Sequence, residues 1–127
     1  MTKKKRPKNK ATFAKGALRR ASLGWPPISE ARRLARVSPG RYKCAMCQET
    51  FKDKEVQVDH RDPVIDIQHG WQGWDAYIDR LFCDVDKLDV LCTACHNIKS
   101  AHEVTMRKYF RAKRREEQGN TEEDDNE

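Results

Sequence analysis

The sequence has no long hydrophobic run, and it contains little glycine or proline. Six of its 127 residues are glycine and five are proline. No apolar stretch approaches the roughly 18 residues that a membrane span needs. The basic start is followed by Lys15, Arg19 and Arg20 rather than by the apolar core of a secretory signal. We therefore expect neither a transmembrane protein, nor a collagen-like chain, nor a secreted disulfide scaffold.

Apolar material is scarce as well. Hydrophobic residues make up 37% of the chain and charged residues 36%, and the mean hydropathy is −0.98. A chain of this length forms one domain, and its small hydrophobic core needs an additional stabilising element. A disulfide or a bound metal ion is the usual solution in small domains.

Positive charge is concentrated in the first third of the chain. Residues 1–43 hold 14 Lys and Arg against the single acid Glu30, whereas residues 44–127 hold 12 against 19 acids. A basic segment of this density favours binding to nucleic-acid phosphates, because each neutralised phosphate releases counterions. A solubilising terminus is the alternative interpretation. The last eight residues contain five acids and no base, and we expect this tail to be disordered and able to shield the basic surface.

Hydrophobic periodicity and turn residues predict an α+β domain. Helices are predicted over residues 12–23, 29–36, 74–82 and 92–117, with Ser29 as the N-cap of the second. Short strands are predicted at residues 42–43, 56–60 and 88–91. The predicted organisation is a basic tail with a helical extension over residues 1–40, the main domain over 41–118 and the acidic tail over 119–127.

Four of the five cysteines form two Cys-x-x-Cys pairs, Cys44 with Cys47 and Cys92 with Cys95. A two-residue gap lets two thiolates reach one zinc ion from a single turn, and two such turns complete a tetrahedral site. Two disulfides or four unrelated thiols are the alternatives. The lack of an export signal disfavours disulfides, and the paired spacing disfavours four unrelated thiols. We predict a structural zinc, and we expect Cys83 to be an ordinary buried thiol.

An Asp-His pair and a further histidine lie close to these cysteines in the predicted fold. Asp59 and His60 end a predicted strand, and His96 follows Cys95 in the first turn of the last helix. The two cysteine turns bring this strand and this helix together. Asp59 and His96 can then share one divalent ion, which leaves His60 as a base. Without the cysteine turns, Asp59 and His60 would be read as a plain turn.

The order of these motifs resembles the HNH endonuclease family, in particular its small phage-encoded members. The resemblance rests on Cys44 and Cys47, on Val-Asp-His-x-x-Pro at residues 58–63, and on Leu-Cys-x-x-Cys-His-x-x-Lys at residues 91–99. It covers residues 41–103, about half of the chain. A Gly-Trp-x-x-Trp-Asp-x-Tyr-Ile-x-Arg-Leu-Phe helix between the motifs, here residues 70–82, is also typical of these members. The resemblance implies a zinc-stapled ββα-metal domain.

This resemblance also implies an activity and its residues. His60 corresponds to the general base, and Asp59 and His96 correspond to the ligands of a catalytic divalent cation such as Mg²⁺ or Mn²⁺. The expected reaction is hydrolysis of DNA phosphodiester bonds, by nicking or double-strand cleavage, with 5′-phosphate products. We expect a cytoplasmic monomer, in the host cytoplasm if the chain is phage-encoded, with DNA and a phage terminase or another packaging protein as partners. The predicted DNA contacts are Arg41, Arg61, Lys99, Arg107 and Arg111.

One position departs from the family pattern. Lys87 stands where the family has an asparagine whose carbonyl orients the general base. An ammonium group has no acceptor, so we expect a backbone carbonyl or a carboxylate such as Asp86 or Asp89 to orient His60. If neither does, the alternatives are a catalytically impaired, zinc-stabilised DNA-binding module or an accessory protein of phage packaging or assembly.

Overall fold

A computed structural model describes residues 9–119, so the predicted disorder of the acidic tail lies largely outside the described residues. The described chain is α+β, as predicted. Its elements follow in chain order: α1 (Lys10–Ser22), α2 (Pro26–Ala35), β1 (Arg36–Ser38), β2 (Arg41–Lys43), β3 (Thr50–Lys52), β4 (Val56–His60), α3 (Trp74–Leu81), β5 (Leu88–Cys92) and α4 (Thr93–Glu117). None of the helices in this part of the chain is long and apolar enough to cross a membrane.

The strands form two antiparallel sheets. The strand order in the first sheet is β1-β2-β3, and β4 pairs with β5 in the second. The prediction included β2, β4 and β5 but missed β1 and β3, because three residues are too few to show a period. β2 is equally short and was recognised only because it leads into the first cysteine turn. In the second sheet Asp59 lies opposite Asp89, and His60 lies opposite Leu88. This register places the predicted Asp-His pair at the end of the sheet.

The predicted start of the second helix is wrong. Ser29 is not its N-cap, because the helix begins at Pro26 and Trp25 occupies the cap position. Proline suits the first helical positions, since its φ is already close to the helical value and its missing N–H would have had no partner there. Trp25 is held in place by its indole N–H, which donates to the Cys83 carbonyl at 2.7 Å, and by an edge-on contact with Phe82.

The hydrophobic interior of the described residues contains two small clusters. One contains the buried residues Cys44, Leu91 and Cys92, with Phe51 and Cys95 packed against them. The other contains the buried residues Val64, Tyr77 and Leu81, with Leu18, Ile65 and Phe82 packed against them. Leu18 comes from α1, so the amino-terminal helices pack onto the rest of the domain. The small size of both clusters agrees with the predicted need for an additional stabilising element.

Candidate functional site

The four paired cysteines meet at one point on the surface of the domain. Cys44 and Cys47 lie in the turn between β2 and β3, Cys92 ends β5, and Cys95 lies in the first turn of α4. Their sulfur atoms all lie within 4.8 Å of one another, and those of Cys47 and Cys92 are 3.9 Å apart. Four sulfurs at about 2.3 Å from a tetrahedral zinc ion would be about 3.8 Å apart. The cluster could therefore hold a metal ion, and four thiols are a donor set that suits zinc.

Hydrogen bonds and charge within the cluster also suit a cation. Burial raises the pKa of the Cys44 thiol, but backbone N–H groups around its sulfur outweigh burial and lower the pKa to about 6. The neighbouring thiols, Cys92 first, and burial together raise the pKa of Cys95 to about 12. Four thiolates at this spacing repel one another, and a divalent cation would offset that repulsion. The fifth cysteine, Cys83, lies just beyond α3 and is half-buried.

Asp59 and His96 face each other next to this cluster. Asp59 is on β4 and His96 is on the first turn of α4, and Asp59 Oδ1 lies 4.0 Å from His96 Nε2. Two ligand atoms at about 2.1 Å from an ion are about 3 Å apart at right angles and about 4 Å apart when opposite. Within residues 9–119 no third cysteine, histidine or carboxylate completes a ligand group with them. Two protein ligands leave positions for water and phosphate oxygens; the carboxylate suits Mg²⁺ or Mn²⁺, whereas the imidazole suits a transition-metal ion.

Lys99 holds Asp59 from the other side. Its ammonium donates to Asp59 Oδ2 at 2.6 Å and to the His60 carbonyl at 2.7 Å, and it lies 3.0 Å from Glu103 Oε2. Burial lowers the pKa of Lys99, but the hydrogen bonds to Asp59 and Glu103 outweigh burial and raise it. All three N–H donors are engaged within the protein, so Lys99 orients Asp59 in this arrangement, whereas the sequence assigned it to a DNA contact.

A backbone carbonyl orients His60. His60 Nε2 lies 2.9 Å from the carbonyl oxygen of Leu81, at the end of α3. A carbonyl oxygen can only accept a hydrogen bond, so Nε2 carries the proton and Nδ1 keeps the lone pair of the neutral ring. Leu81 is 1% exposed and is packed in the core, which fixes the position of this carbonyl. The sequence left a backbone carbonyl or a carboxylate as the group that orients His60, and in the structure it is the backbone carbonyl.

The side chain of Lys87, the residue that departs from the family pattern, does not contact His60. The ammonium of Lys87 lies 4.0 Å from Asp62 Oδ2, and its backbone carbonyl accepts from the Arg61 N–H at 2.8 Å. The Arg61 guanidinium forms an ion pair with Asp89 at 2.9 Å. Lys87 and His60 do line the same cleft of about 250 Å³, with Asp62 and Arg80.

The predicted basic contacts are divided between two regions. Arg107 and Arg111 of α4 line a cleft of about 340 Å³ together with Asp59 and His60, whereas Arg41 lies on the exposed strand β2 of the other sheet. Two contributors to the site were missed from the sequence. Leu81 acts through its backbone, which no side-chain pattern reveals. Arg19 of α1 lines the 340 Å³ cleft although it lies outside residues 41–103, the segment that carries the resemblance.

Comparisons with known proteins find no match: no family model, no curated protein and no solved structure is similar to this chain. Function is therefore inferred from the residues and their geometry alone.

Proposed function

We propose that this chain is a metal-dependent endonuclease of the HNH type, which hydrolyses phosphodiester bonds in DNA. One observation carries the proposal: Asp59 Oδ1 and His96 Nε2 lie 4.0 Å apart, and His60, next to Asp59 in the chain, lines the same cleft. A carboxylate and an imidazole at this spacing suit a divalent cation, and a neighbouring neutral imidazole suits a general base.

Asp59 and His96 would hold the cation, which when bound supplies a Lewis acid that neutralises charge on the phosphate oxygens. His60 Nδ1 accepts a proton from the attacking water while the water oxygen bonds to phosphorus and the 3′ oxygen departs. The Leu81 carbonyl stabilises the resulting imidazolium through the Nε2–H. The departing 3′ oxygen takes up a proton from solvent, and the imidazolium then returns its own proton to solvent. Lys99 keeps the Asp59 carboxylate in a fixed orientation throughout.

A specific observation favours a second function, a zinc-stabilised DNA-binding module without catalysis. Lys99 neutralises Asp59 through a 2.6 Å contact, so the carboxylate has a charged partner without any metal ion. The two functions share the cysteine cluster and the basic surface, and they differ only in the chemistry at His60.

Plasmid cleavage separates the two functions. We expect the zinc-loaded protein to nick supercoiled plasmid in the presence of Mg²⁺ or Mn²⁺. His60→Ala should lower the rate about 10²- to 10⁴-fold, the usual range for loss of a general base. The matched control is His102→Ala, which removes an exposed histidine of α4 and should cleave like the wild type. DNA binding without nicking by any of the three proteins would favour the second function instead.

A further inference from the structure

Arg19 of α1 lies at the proposed catalytic centre although it is outside residues 41–103, the segment that carries the resemblance. It lines the 340 Å³ cleft with Asp59, His60 and the two arginines of α4. It also lines a neighbouring cleft of about 420 Å³ with Asp59, His60, His96 and Leu81. The two clefts share three residues, Arg19, Asp59 and His60. Arg19 therefore lines the same two clefts as the proposed metal ligand Asp59 and the proposed base His60.

Contacts of two residues that precede Arg19 hold α1 in this position. The preceding residue, Leu18, packs against the core cluster around Leu81. The Tyr77 hydroxyl donates to the Lys15 carbonyl at 3.4 Å, and the Lys15 ammonium lies 4.4 Å from the centre of the Trp71 ring. Because successive residues of a helix are about 100° apart around its axis, Leu18 can face the core while Arg19 faces the cleft. Arg20, one position further round, lines neither cleft.

The charges that face the cleft leave an excess of positive charge. Its two carboxylates, Asp59 and Glu103, both contact Lys99. The other ionisable groups that line it, apart from His60, are the guanidinium groups of Arg19, Arg107 and Arg111. Guanidinium groups match the paired oxygens of a phosphate and bind them with two parallel hydrogen bonds. The composition of the cleft thus suits a phosphodiester next to His60.

We propose that Arg19 binds a phosphate of the DNA backbone at or beside the bond that is cleaved. The amino-terminal helical extension then supplies a substrate-binding residue to the site as well as covering the core. This inference rests on the proposed nuclease function for its kinetic readout, but its binding readout is independent of cleavage.

The competing explanation is that Arg19 only stabilises its helix. Arg19 and Arg20 both lie in the last turn of α1, where a cation interacts favourably with the helix dipole. Arg20→Ala is therefore a matched control, because it removes the same charge from the same turn. Arg19→Ala and Arg20→Ala should have similar thermal unfolding midpoints, since alanine is a good helix former. Arg19→Lys serves as the conservative variant.

The test compares cleavage and binding in the full-length, zinc-loaded protein. We expect Arg19→Ala to lower kcat/KM for plasmid nicking at least tenfold, Arg19→Lys to recover part of this loss, and Arg20→Ala to stay within about threefold of the wild type. For binding, each arginine change is placed in the His60→Ala background, and affinity for a 30-base-pair duplex is measured by fluorescence anisotropy against salt. Arg19→Ala should reduce the salt slope by about 0.9, the value for one lost phosphate contact, and Arg20→Ala should not.

Equal effects of Arg19→Ala and Arg20→Ala in both assays would overturn the inference, because only bulk charge would then matter. If the wild type does not nick DNA, the proposed function fails and the binding slopes alone decide. A reduced slope specific to Arg19→Ala would then still support the phosphate site, and equal slopes would refute it.

Discussion

Loss of a cluster cysteine should destabilise the domain far more than loss of the fifth cysteine. The pair to compare is Cys92→Ser and Cys83→Ser, which make the same chemical change at two positions. Cys92 is 3% exposed and packs in the core cluster with Leu91 and Cys44. Its sulfur also accepts a hydrogen bond from the Cys95 N–H as the cap of α4. Cys83 is half-buried and belongs to no such group.

The expected size of the effect follows from the metal. Structural zinc contributes about 10–16 kcal/mol of apparent free energy in small zinc domains, whereas the net stability of a domain is about 5–15 kcal/mol. Losing one of four ligands should therefore remove at least about 5 kcal/mol of the free energy of unfolding. At about 4 °C per kcal/mol for a domain of this size, the midpoint should fall by about 20 °C or more, or the cooperative transition should disappear. Cys83→Ser should shift it by only a few degrees.

The assay is thermal unfolding followed by circular dichroism, together with the zinc content of each purified protein. We expect one zinc per chain in the wild type and in Cys83→Ser, and much less in Cys92→Ser. A strong chelator should reproduce the effect of Cys92→Ser on the wild type. Equal midpoints and equal zinc contents for the two variants would refute the assignment of the cluster as a metal site that stabilises the fold.

Three further changes test other parts of the structure. Lys87→Asn should leave plasmid nicking unchanged or raise it, and a loss of more than tenfold, about 1.4 kcal/mol of barrier, would show that the ammonium itself contributes. Leu81→Ala should lower the free energy of unfolding by about 2–5 kcal/mol in urea titrations, because Leu81 is 1% exposed; a change below about 1 kcal/mol would contradict its place in the core. Burial raises the pKa of Asp66, but hydrogen bonds from the His69 N–H and the Arg80 guanidinium outweigh it and hold the pKa below its usual range. Asp66 therefore stabilises the fold above about pH 4 and loses this effect as the pH falls through its lowered pKa. The difference in stability between the wild type and Asp66→Asn should accordingly shrink in acid. A difference that grew in acid would count against the ion pair between Asp66 and Arg80.

The sequence predicted those parts of the fold that have a strong local pattern. The alternation at residues 56–60 and the apolar stripe at residues 74–82 correspond to β4 and α3. The paired cysteines do meet in one cluster, because two-residue spacing forces each pair into a single turn. The start of α2 was misplaced because the two prolines read equally well as the end of one helix and the beginning of another.

Contributions that depend on tertiary packing could not be predicted. The partner of His60 is a backbone carbonyl 21 positions away, and every residue has a carbonyl, so no sequence pattern marks it. Lys99 was predicted to contact DNA because it is basic and lies on neighbouring helical turns with Arg107 and Arg111. In the structure its place one helical turn beyond His96 lets it reach Asp59. Arg19 is one of several basic residues in α1, and only the packing of Leu18 against the core shows which of them faces the cleft.

The most direct test of the proposed site is the dependence of plasmid nicking on Mn²⁺ concentration for Asp59→Ala and Asp75→Ala. Both variants remove one carboxylate, and Asp75 is an exposed residue in the first turn of α3. We predict that Asp75→Ala follows the wild type, and that Asp59→Ala nicks at least 100-fold more slowly, with its zinc content unchanged. Identical rates and identical Mn²⁺ dependence for the two variants would contradict a cation held between Asp59 and His96.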